Sequence, residues 1–166
     1  LDLGNGELGD GDLERAQRRK WSALERRLDG AGRVLEIGCG WGGMAIYLAR
    51  KFDIQVTGIT LSREQLALAE ERARQAGVAD RVAFELVDYR ELPERGKRYD
   101  RLVSVDMFEH VGRPQFPTFF KACANLLADD GVMLLHTIGR SGSPGTTDGS
   151  TRTYIFPGGY TPALSG

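Results

Sequence analysis

A glutamate followed by a run of glycines carries the clearest chemical signal in the sequence. The segment VLEIGCGWGG (34–43) ends an apolar run at Glu36 and then places glycines at positions 38, 40, 42 and 43. Glycine lets backbone and ligand approach closely and adopts positive φ without strain. A helix that begins after such a loop directs its free N–H groups at the ligand. The segment therefore predicts a small-molecule cofactor site. A tight turn without a ligand, with Glu36 capping nearby N–H groups, is the structural alternative.

Two kinds of cofactor compete for this loop. The spacing Gly38-x-Gly40-x-x-Gly43 matches the dinucleotide fingerprint, which is a weak signal when it stands alone. A dinucleotide loop should be followed about 20 residues later by an acidic residue that binds the ribose. That place reads VTGITLS and holds Thr60 without a carboxylate. Glu36 can instead orient a ligand that carries an ammonium group, such as S-adenosylmethionine. The residues favour S-adenosylmethionine.

Alternating strands and helices must position this loop. A first helix is predicted from Asp12 to about Leu28, and further helices over 42–51, 61–77 with a Ser62–Gln65 capping box, and 114–127. Strands are predicted over 33–38, 54–59, 81–87, 99–108 and 131–138. This order indicates an α/β fold, doubly wound and Rossmann-like, with the first strand in mid-sheet. The ligand crevice should then open at the carboxyl ends of the strands.

Composition excludes several classes of function. The formal net charge is -1 at pH 7, so no basic field attracts nucleic acid, and no nucleic-acid partner is expected. Cys39 and Cys123 form no paired-cysteine motif, so no metal site is expected and a cytoplasmic, reducing compartment is the simpler interpretation. No apolar run reaches the length of a membrane span.

The motifs together resemble a known enzyme family. VLEIGCGWGG is similar to the first motif of S-adenosylmethionine-dependent methyltransferases. Combined with GITLSREQ, DYR, MFEHVG, LLHTIG and YIFPGG, it resembles the cyclopropane-fatty-acyl-phospholipid synthases, a family that includes the mycolic acid cyclopropane synthases. The resemblance implies transfer of a methyl(ene) group to the double bond of an unsaturated fatty acyl chain of a phospholipid. A methyltransferase acting on a small molecule, a methyl-branching lipid methyltransferase, and a dehydrogenase-like nucleotide-binding module are the alternatives.

The resemblance also assigns cofactor contacts. Residues of the glycine loop would line the methionine part, residues after the second strand the ribose, and residues after the third strand the adenine. In that order they are Leu35, Glu36, Ile37, Gly38, Cys39, Gly40, Trp41, Gly42 and Gly43; then Thr60, Leu61, Ser62 and Gln65; then Asp88, Tyr89 and Arg90. Cys39 is interpreted as a small packing residue rather than a nucleophile.

The catalytic residues implied by the resemblance are Glu109, His136 and the backbone of Ile138, which would hold a bicarbonate ion as the base. His136 can donate to the anion, and a protonated oxygen of bicarbonate can donate to Glu109. A buried Glu109–His136 pair without an ion is the alternative. His110 is expected to point away from the bicarbonate, as a structural residue or as a backbone contact of the cofactor. Phenylalanines 108, 116 and 156 suit an acyl channel, or else belong to the core.

A lipid substrate implies peripheral contact with the inner membrane surface. Arg15, Arg19 and Arg26 would form a stripe toward anionic head groups, or a solvated basic face. Family members have seven strands and continue further, so the resemblance predicts a fragment that is weakly active or inactive. Its exposed fifth strand could pair in a homodimer. The predicted divisions are a loose segment (1–11), the S-adenosylmethionine-binding methyltransferase domain (12–139) and a loop or lid (140–166).

Overall fold

A five-stranded parallel sheet organises the part of the chain that a computed structural model describes, residues 30–137 together with Glu25 and Leu28. The strands lie in the order β3-β2-β1-β4-β5, so the first strand is central, as predicted. Their bounds are β1 Arg33–Ile37, β2 Gln55–Thr60, β3 Val82–Leu86, β4 Tyr99–Val105 and β5 Leu127–His136. Every neighbouring pair is parallel. The sheet and its helices belong to one compact unit.

Three helices cover the two faces of the sheet. They are α1 Gly43–Lys51, α2 Arg63–Gln75 and α3 Phe116–Leu126. Side chains alternate between the faces of a strand. Leu35 and Ile37 of β1 pack in one cluster with Phe119 of α3. Glu36, between them, accepts a hydrogen bond from the backbone of Ala45 in α1. Helices therefore cover both faces, which is the predicted doubly wound arrangement.

The core is built around the central strands. Leu35 and Leu102, paired across β1 and β4, are fully buried beneath Phe119 of α3. Strands buried on both faces consist of near-continuous apolar residues, which is how β1 reads in the sequence. This packing fixes the carboxyl ends of the strands, and with them the loops that carry the predicted site.

Two predicted strand limits were wrong. The fourth strand ends at Val105 rather than at residue 108, because Asp106 takes a positive φ of 54° that stops the extended run. A short 3-10 turn, Phe108–His110, follows. The fifth strand begins at Leu127 rather than at residue 131. Leu127 pairs with Tyr99 and Val132 with Arg101, so the strand bulges between these two pairs.

Several expectations fall outside the described residues. They concern most of the first helix, the segment 1–11, the arginines of the basic stripe, Ile138 and the segment 140–166. The predicted domain limits therefore remain predictions. No helix among the described residues is both long enough and apolar enough to cross a membrane.

Candidate cofactor site

A cleft of about 470 Å³ lies at the carboxyl ends of β1, β2, β3 and β4. Its size is typical of small-molecule sites, which run to roughly 300–1,000 Å³. Its lining residues are Ile37, Gly38, Gly40, Ile59, Thr60, Leu61, Gln65, Val87, Asp88, Tyr89, Arg90, Asp106, Met107, His110, Val111, Gly112 and Gln115. Nine of these seventeen residues are apolar or glycine, and the eight polar ones come from the segments that follow or include the ends of β2, β3 and β4.

The glycine loop forms one wall of this cleft. The N–H groups of Gly38 and Cys39 both donate to the carbonyl of Ile59, at 3.0 and 2.9 Å, which anchors the loop to β2. Gly40 has φ +52°, and a Cβ added there would meet nothing within 4 Å. A Cβ on Gly38 would lie 2.6 Å from Cγ of Met107. Position 38 therefore requires glycine, because a larger side chain would collide with Met107. Gly40 instead leaves open space beside the cleft.

Part of the predicted first motif packs inward instead. A Cβ on Gly42 would lie 2.6 Å from Cζ of Phe84 and 2.9 Å from Cβ of Ala69, so this glycine joins the loop to α2 and β3. Burial raises the pKa of the Cys39 thiol to about 12, which suits packing and not nucleophilic attack. The predicted contacts that do not line the cleft are Leu35, Glu36, Cys39, Trp41, Gly42, Gly43 and Ser62.

Glu36 lies buried directly beneath the loop. Burial raises the pKa of its carboxyl group to about 8, and the hydrogen bond from the backbone of Ala45 offsets only part of that effect. Its Oε2 atom is buried and receives no hydrogen bond from the described residues. A buried carboxylate of this kind is stabilised in its charged form by a nearby cation. The ammonium group of S-adenosylmethionine has the required charge.

A hydrogen-bonded chain follows the end of β2. The Thr60 hydroxyl donates to Oε1 of Gln65 at 2.7 Å and accepts from the N–H of Ser62 at 3.2 Å. Ser62 caps α2 by accepting from the N–H of Gln65. The predicted capping box is therefore only half formed, because the amide oxygen of Gln65 accepts from the Thr60 hydroxyl and not from the backbone N–H of Ser62. Thr60 and Gln65 line the cleft, and Ser62 supports them from behind.

Asp88 and Arg90 form a pair after β3. The Asp88 carboxylate accepts from the backbone N–H, Nε and Nη2 of Arg90, at 2.9, 2.9 and 2.6 Å. These bonds hold the pKa of Asp88 below its usual value. The Asp88 side chain also accepts from the backbone N–H of Glu91, which completes a capping box around the turn Tyr89–Glu91. Tyr89, the residue between Asp88 and Arg90, packs edge-on against Phe119, with ring centroids 5.2 Å apart.

Glu109 and His136, the two predicted catalytic residues within the described part of the chain, lie at or just beyond the ends of β4 and β5, and each has a different hydrogen-bond partner. Val105 pairs with His136 in the sheet register, so the two strands are neighbours as expected. Glu109 is fully buried and accepts a 2.8 Å hydrogen bond from the Thr137 hydroxyl. Nδ1 of His136 lies 3.0 Å from Oδ1 of Asp106. Neither Glu109 nor His136 lines the cleft itself.

The sequence interpretation missed one wall of the cleft. Asp106, Met107 and the loop that carries His110 and Gln115 line it. Of these residues the sequence interpretation considered only His110, as a structural residue or as a backbone contact of the cofactor. The rule that ligands bind at the carboxyl ends of parallel strands would have selected this loop, because it follows β4 directly. Phe108, expected either in an acyl channel or in the core, is buried in the core and stacks on Phe116 with ring centroids 4.4 Å apart.

Comparison with known proteins matches this geometry to a family. A family model described as mycolic acid cyclopropane synthetase matches residues 7–166. The chain belongs to the mycolic acid cyclopropane synthetase family. This membership confirms the resemblance that the sequence motifs carried. It also accounts for a methyltransferase-like parallel sheet with the glycine loop after its first strand.

Several relatives of this chain carry the names of enzymes that act on lipids. The chain is 41% identical over 155 residues to the cyclopropane-fatty-acyl-phospholipid synthase of Escherichia coli strain K12, covering 92% of this chain. It is 40% identical over 164 residues to a probable fatty acid methyltransferase of Pseudomonas putida, covering 94% of this chain. The chain spans only 39% and 41% of the lengths of these two relatives.

A solved structure of the mycolic acid cyclopropane synthase CmaA1, complexed with SAH and CTAB, has a similar fold. Its TM-score is 0.77 at 29% identity, with 92% of this chain and 58% of that chain covered. The site in this chain is suited to the same kind of cofactor, S-adenosylmethionine. Gly40 leaves space, Glu36 offers a buried carboxylate, and β2 ends in Thr60 where a dinucleotide would need an acidic residue.

Proposed function

We propose that the protein transfers a methyl(ene) group from S-adenosylmethionine to the double bond of an unsaturated fatty acyl chain of a phospholipid. The cleft and its glycine loop support the cofactor. The observation that carries the substrate class is the 41% identity to a cyclopropane-fatty-acyl-phospholipid synthase over 92% of this chain. A dehydrogenase-like role is disfavoured, because Thr60 stands where an acidic ribose ligand is needed.

The cofactor would be held at three strand ends. Glu36 would attract its ammonium group from beneath the loop, and Gly40 would admit its methionine part. Gln65 would contact the ribose, while Asp88 would accept from the adenine amino group. When bound, S-adenosylmethionine supplies a methyl group on a positively charged sulfur, and transfer to a double bond leaves a carbocation that must lose a proton for a ring to close.

Removal of that proton would fall to bicarbonate held by Glu109, His136 and the backbone of Ile138. Glu109 is fully buried and lies next to the end of β5 through its bond with Thr137. A carboxylate alone repels an anion, so a protonated bicarbonate oxygen would donate to Glu109. The ion can take the proton without forming a covalent bond to the substrate cation. Ile138 lies outside the described residues.

A methyl-branching reaction is the second candidate. The relative from Pseudomonas putida, 40% identical, carries the name of a probable fatty acid methyltransferase. Ring formation and branching share the first methyl transfer and differ only in how the carbocation is quenched. The residues around Glu109 and His136 would therefore decide the product, because they control where the proton leaves.

The lipid would be reached from the inner surface of the cytoplasmic membrane. Arg15, Arg19 and Arg26 would contribute attraction to anionic head groups. Co-sedimentation with anionic vesicles should weaken when all three become Glu, and unchanged sedimentation would remove this docking role.

Strand β5 forms an edge of the described sheet, and we propose that a second copy of the chain pairs along this edge to form a homodimer. Light scattering coupled to size-exclusion chromatography would test this pairing, and a monomer at all concentrations would contradict it.

Labelled lipids would test the proposed function. Cells expressing the full-length protein are grown with methionine that carries a deuterated methyl group, and their phospholipids are examined by mass spectrometry. We expect deuterium in acyl chains that began as unsaturated ones. Proton NMR of the same lipids separates ring protons, which resonate upfield, from branched methyl or methylene signals. Label confined to small molecules, with none in the lipids, would contradict the proposal.

A further inference from the structure

We propose that Asp106 is a positioning residue for His136. By accepting from Nδ1–H of His136, Asp106 selects one tautomer of the imidazole and makes Nε2 the nitrogen that takes up and releases protons. The structural part of this proposal concerns Asp106 and His136 alone. Its catalytic part rests on the proposed function, in which His136 takes part in removal of a proton from the substrate.

The backbone at Asp106 is the first observation. Asp106 has φ 54° and is the one non-glycine residue with positive φ among the described residues. The other described residues with positive φ are glycines, at positions 30, 38, 40, 42, 77 and 96. Aspartate tolerates this conformation better than most residues but still at a cost that glycine avoids. A strained residue at the mouth of a cleft points to a use for its side chain.

The contacts of Asp106 show that use. Its Oδ1 atom lies 3.0 Å from Nδ1 of His136, and its backbone N–H donates to the His136 carbonyl at 3.1 Å. The pair therefore spans the ends of β4 and β5 through both backbone and side chain. Both side chains are partly exposed, at 42% and 40%. Asp106 also lines the cofactor cleft, so the pair lies beside the proposed chemistry.

The chemistry of the two groups determines the tautomer. An ionised carboxylate only accepts hydrogen bonds, so the imidazole nitrogen facing it must carry the hydrogen. The second nitrogen, Nε2, is then bare in the neutral ring and protonated in the imidazolium. Glu109 has a different partner, because the Thr137 hydroxyl donates to its Oε1 atom at 2.8 Å.

Loss of a proton from the substrate cation can be written with Nε2 of His136 as the final acceptor. A C–H bond of the newly transferred carbon breaks, and its electron pair forms the carbon–carbon bond that closes the ring and neutralises the carbocation. The released proton would go to an oxygen of bicarbonate and from there to the lone pair of Nε2. The imidazolium so formed is paired with Asp106 until the proton passes to solvent.

Nitrogen-15 NMR of the full 166-residue chain tests the structural part. The chain has two histidines, His110 and His136, so only two imidazole patterns need to be assigned. At alkaline pH, where imidazoles are neutral, we expect the hydrogen of His136 on Nδ1. The variant Asp106→Gly relieves the positive φ and removes the acceptor, so the hydrogen should move largely to Nε2. Asp106→Asn, which also tolerates the backbone, should give an intermediate or reversed pattern, while the His110 pattern stays unchanged.

The outcomes separate the two claims. A wild-type hydrogen on Nε2, or a His136 pattern that Asp106→Gly leaves unchanged, would overturn the positioning role whatever the enzyme does. In the full-length protein, Asp106→Gly should slow lipid product formation by at least about tenfold and leave S-adenosylmethionine affinity within about twofold. A shifted tautomer with full activity would overturn the catalytic part. Absence of any lipid product from the wild type would refute the proposed function and leave the tautomer result standing.

Discussion

The hydroxyl of Thr60 donates a 2.7 Å hydrogen bond to the amide oxygen of Gln65 at the wall of the cleft. This bond orients the amide, so its NH₂ group remains as a donor for the cofactor. Thr60→Val keeps the shape of the side chain and removes the hydroxyl. We expect S-adenosylmethionine affinity to fall roughly two- to tenfold, the effect of about one hydrogen bond, as measured by isothermal titration calorimetry.

Thr57→Val is the matched control for that substitution. Thr57 is also buried on β2, but it lies outside the cofactor cleft, and its hydroxyl accepts from Lys97 at 3.4 Å. Affinity should be unchanged in this variant. Equal losses in the two variants would show that β2 acts through the stability of the sheet and not through contact with the cofactor.

Gly40 and Gly77 form a second matched pair. Both have positive φ, +52° and +69°, and an added Cβ would meet nothing within 4 Å at either position. Alanine at each should lower the free energy of unfolding by a similar amount, about 1 kcal/mol, because the backbone strain is alike. Only Gly40 lines the cleft, so only Gly40→Ala should weaken S-adenosylmethionine binding, by at least about tenfold. If the two variants bind S-adenosylmethionine with equal affinity, the methionine part of the cofactor does not lie beside Gly40.

The raised pKa of the buried Glu36 carboxyl group predicts how the stability of the fold depends on pH. Its folded pKa of about 8 lies above the ordinary value of 4.5, so the folded chain binds more protons than the unfolded chain between those values. The free energy of unfolding should therefore fall as pH rises through this window, by up to about 1.4 kcal/mol per pH unit. Denaturant unfolding should show that Glu36→Gln removes this slope, while the exposed Glu94→Gln keeps it. A wild-type slope of the opposite sign would contradict the assignment.

The same carboxyl group provides a test of cofactor contact. At about pH 7 a group with a pKa of about 8 is mostly protonated, and an ammonium bound beside it would ionise it. Calorimetry in buffers of different ionisation enthalpy should then detect release of a proton on S-adenosylmethionine binding. Glu36→Gln should abolish this release and weaken binding. If the wild type binds S-adenosylmethionine tightly without releasing a proton, Glu36 does not contact the ammonium group.

Glu109→Gln and His136→Gln test the proposed base machinery. A glutamine at position 109 keeps an oxygen that can accept from Thr137, so the local fold should persist while the carboxylate is lost. In the full-length protein both variants should slow lipid product formation about 10²- to 10⁴-fold, with S-adenosylmethionine affinity nearly intact. Full activity in either variant, or loss of cofactor binding in both, would show that these residues do not serve the base.

The strands and the cleft could be predicted because they depend on local pattern and on general topology. Apolar runs between helical segments located β1 and its central position, and the strand-end rule then brought Gly40, Thr60, Gln65 and Asp88 to one cleft. The direction of individual side chains within the glycine loop could not be predicted. Gly42 packs on Phe84, and Cys39 is buried, because the loop turns back onto β2 through the Ile59 carbonyl.

The contact between Asp106 and His136 could not be predicted from the sequence either. The segment VSVDMF has the pattern of a continuous strand, and no residue type in it predicts that Asp106, after Val105, takes a positive φ. The pairing of Asp106 with His136 depends on strand register, and that of Glu109 with Thr137 on the 3-10 turn after β4. Both are set by packing between residues far apart in the chain, which local patterns do not encode.

Calorimetric titration of the 166-residue chain with S-adenosylmethionine, S-adenosylhomocysteine, NAD and NADP tests the assignment of the cleft to an S-adenosyl cofactor. We expect both S-adenosyl compounds to bind at one site and compete with each other, and Gly40→Ala to weaken the binding of both. The two dinucleotides should not bind, because Thr60 offers no carboxylate to the ribose. Binding of NAD or NADP with no response to either S-adenosyl compound would contradict it.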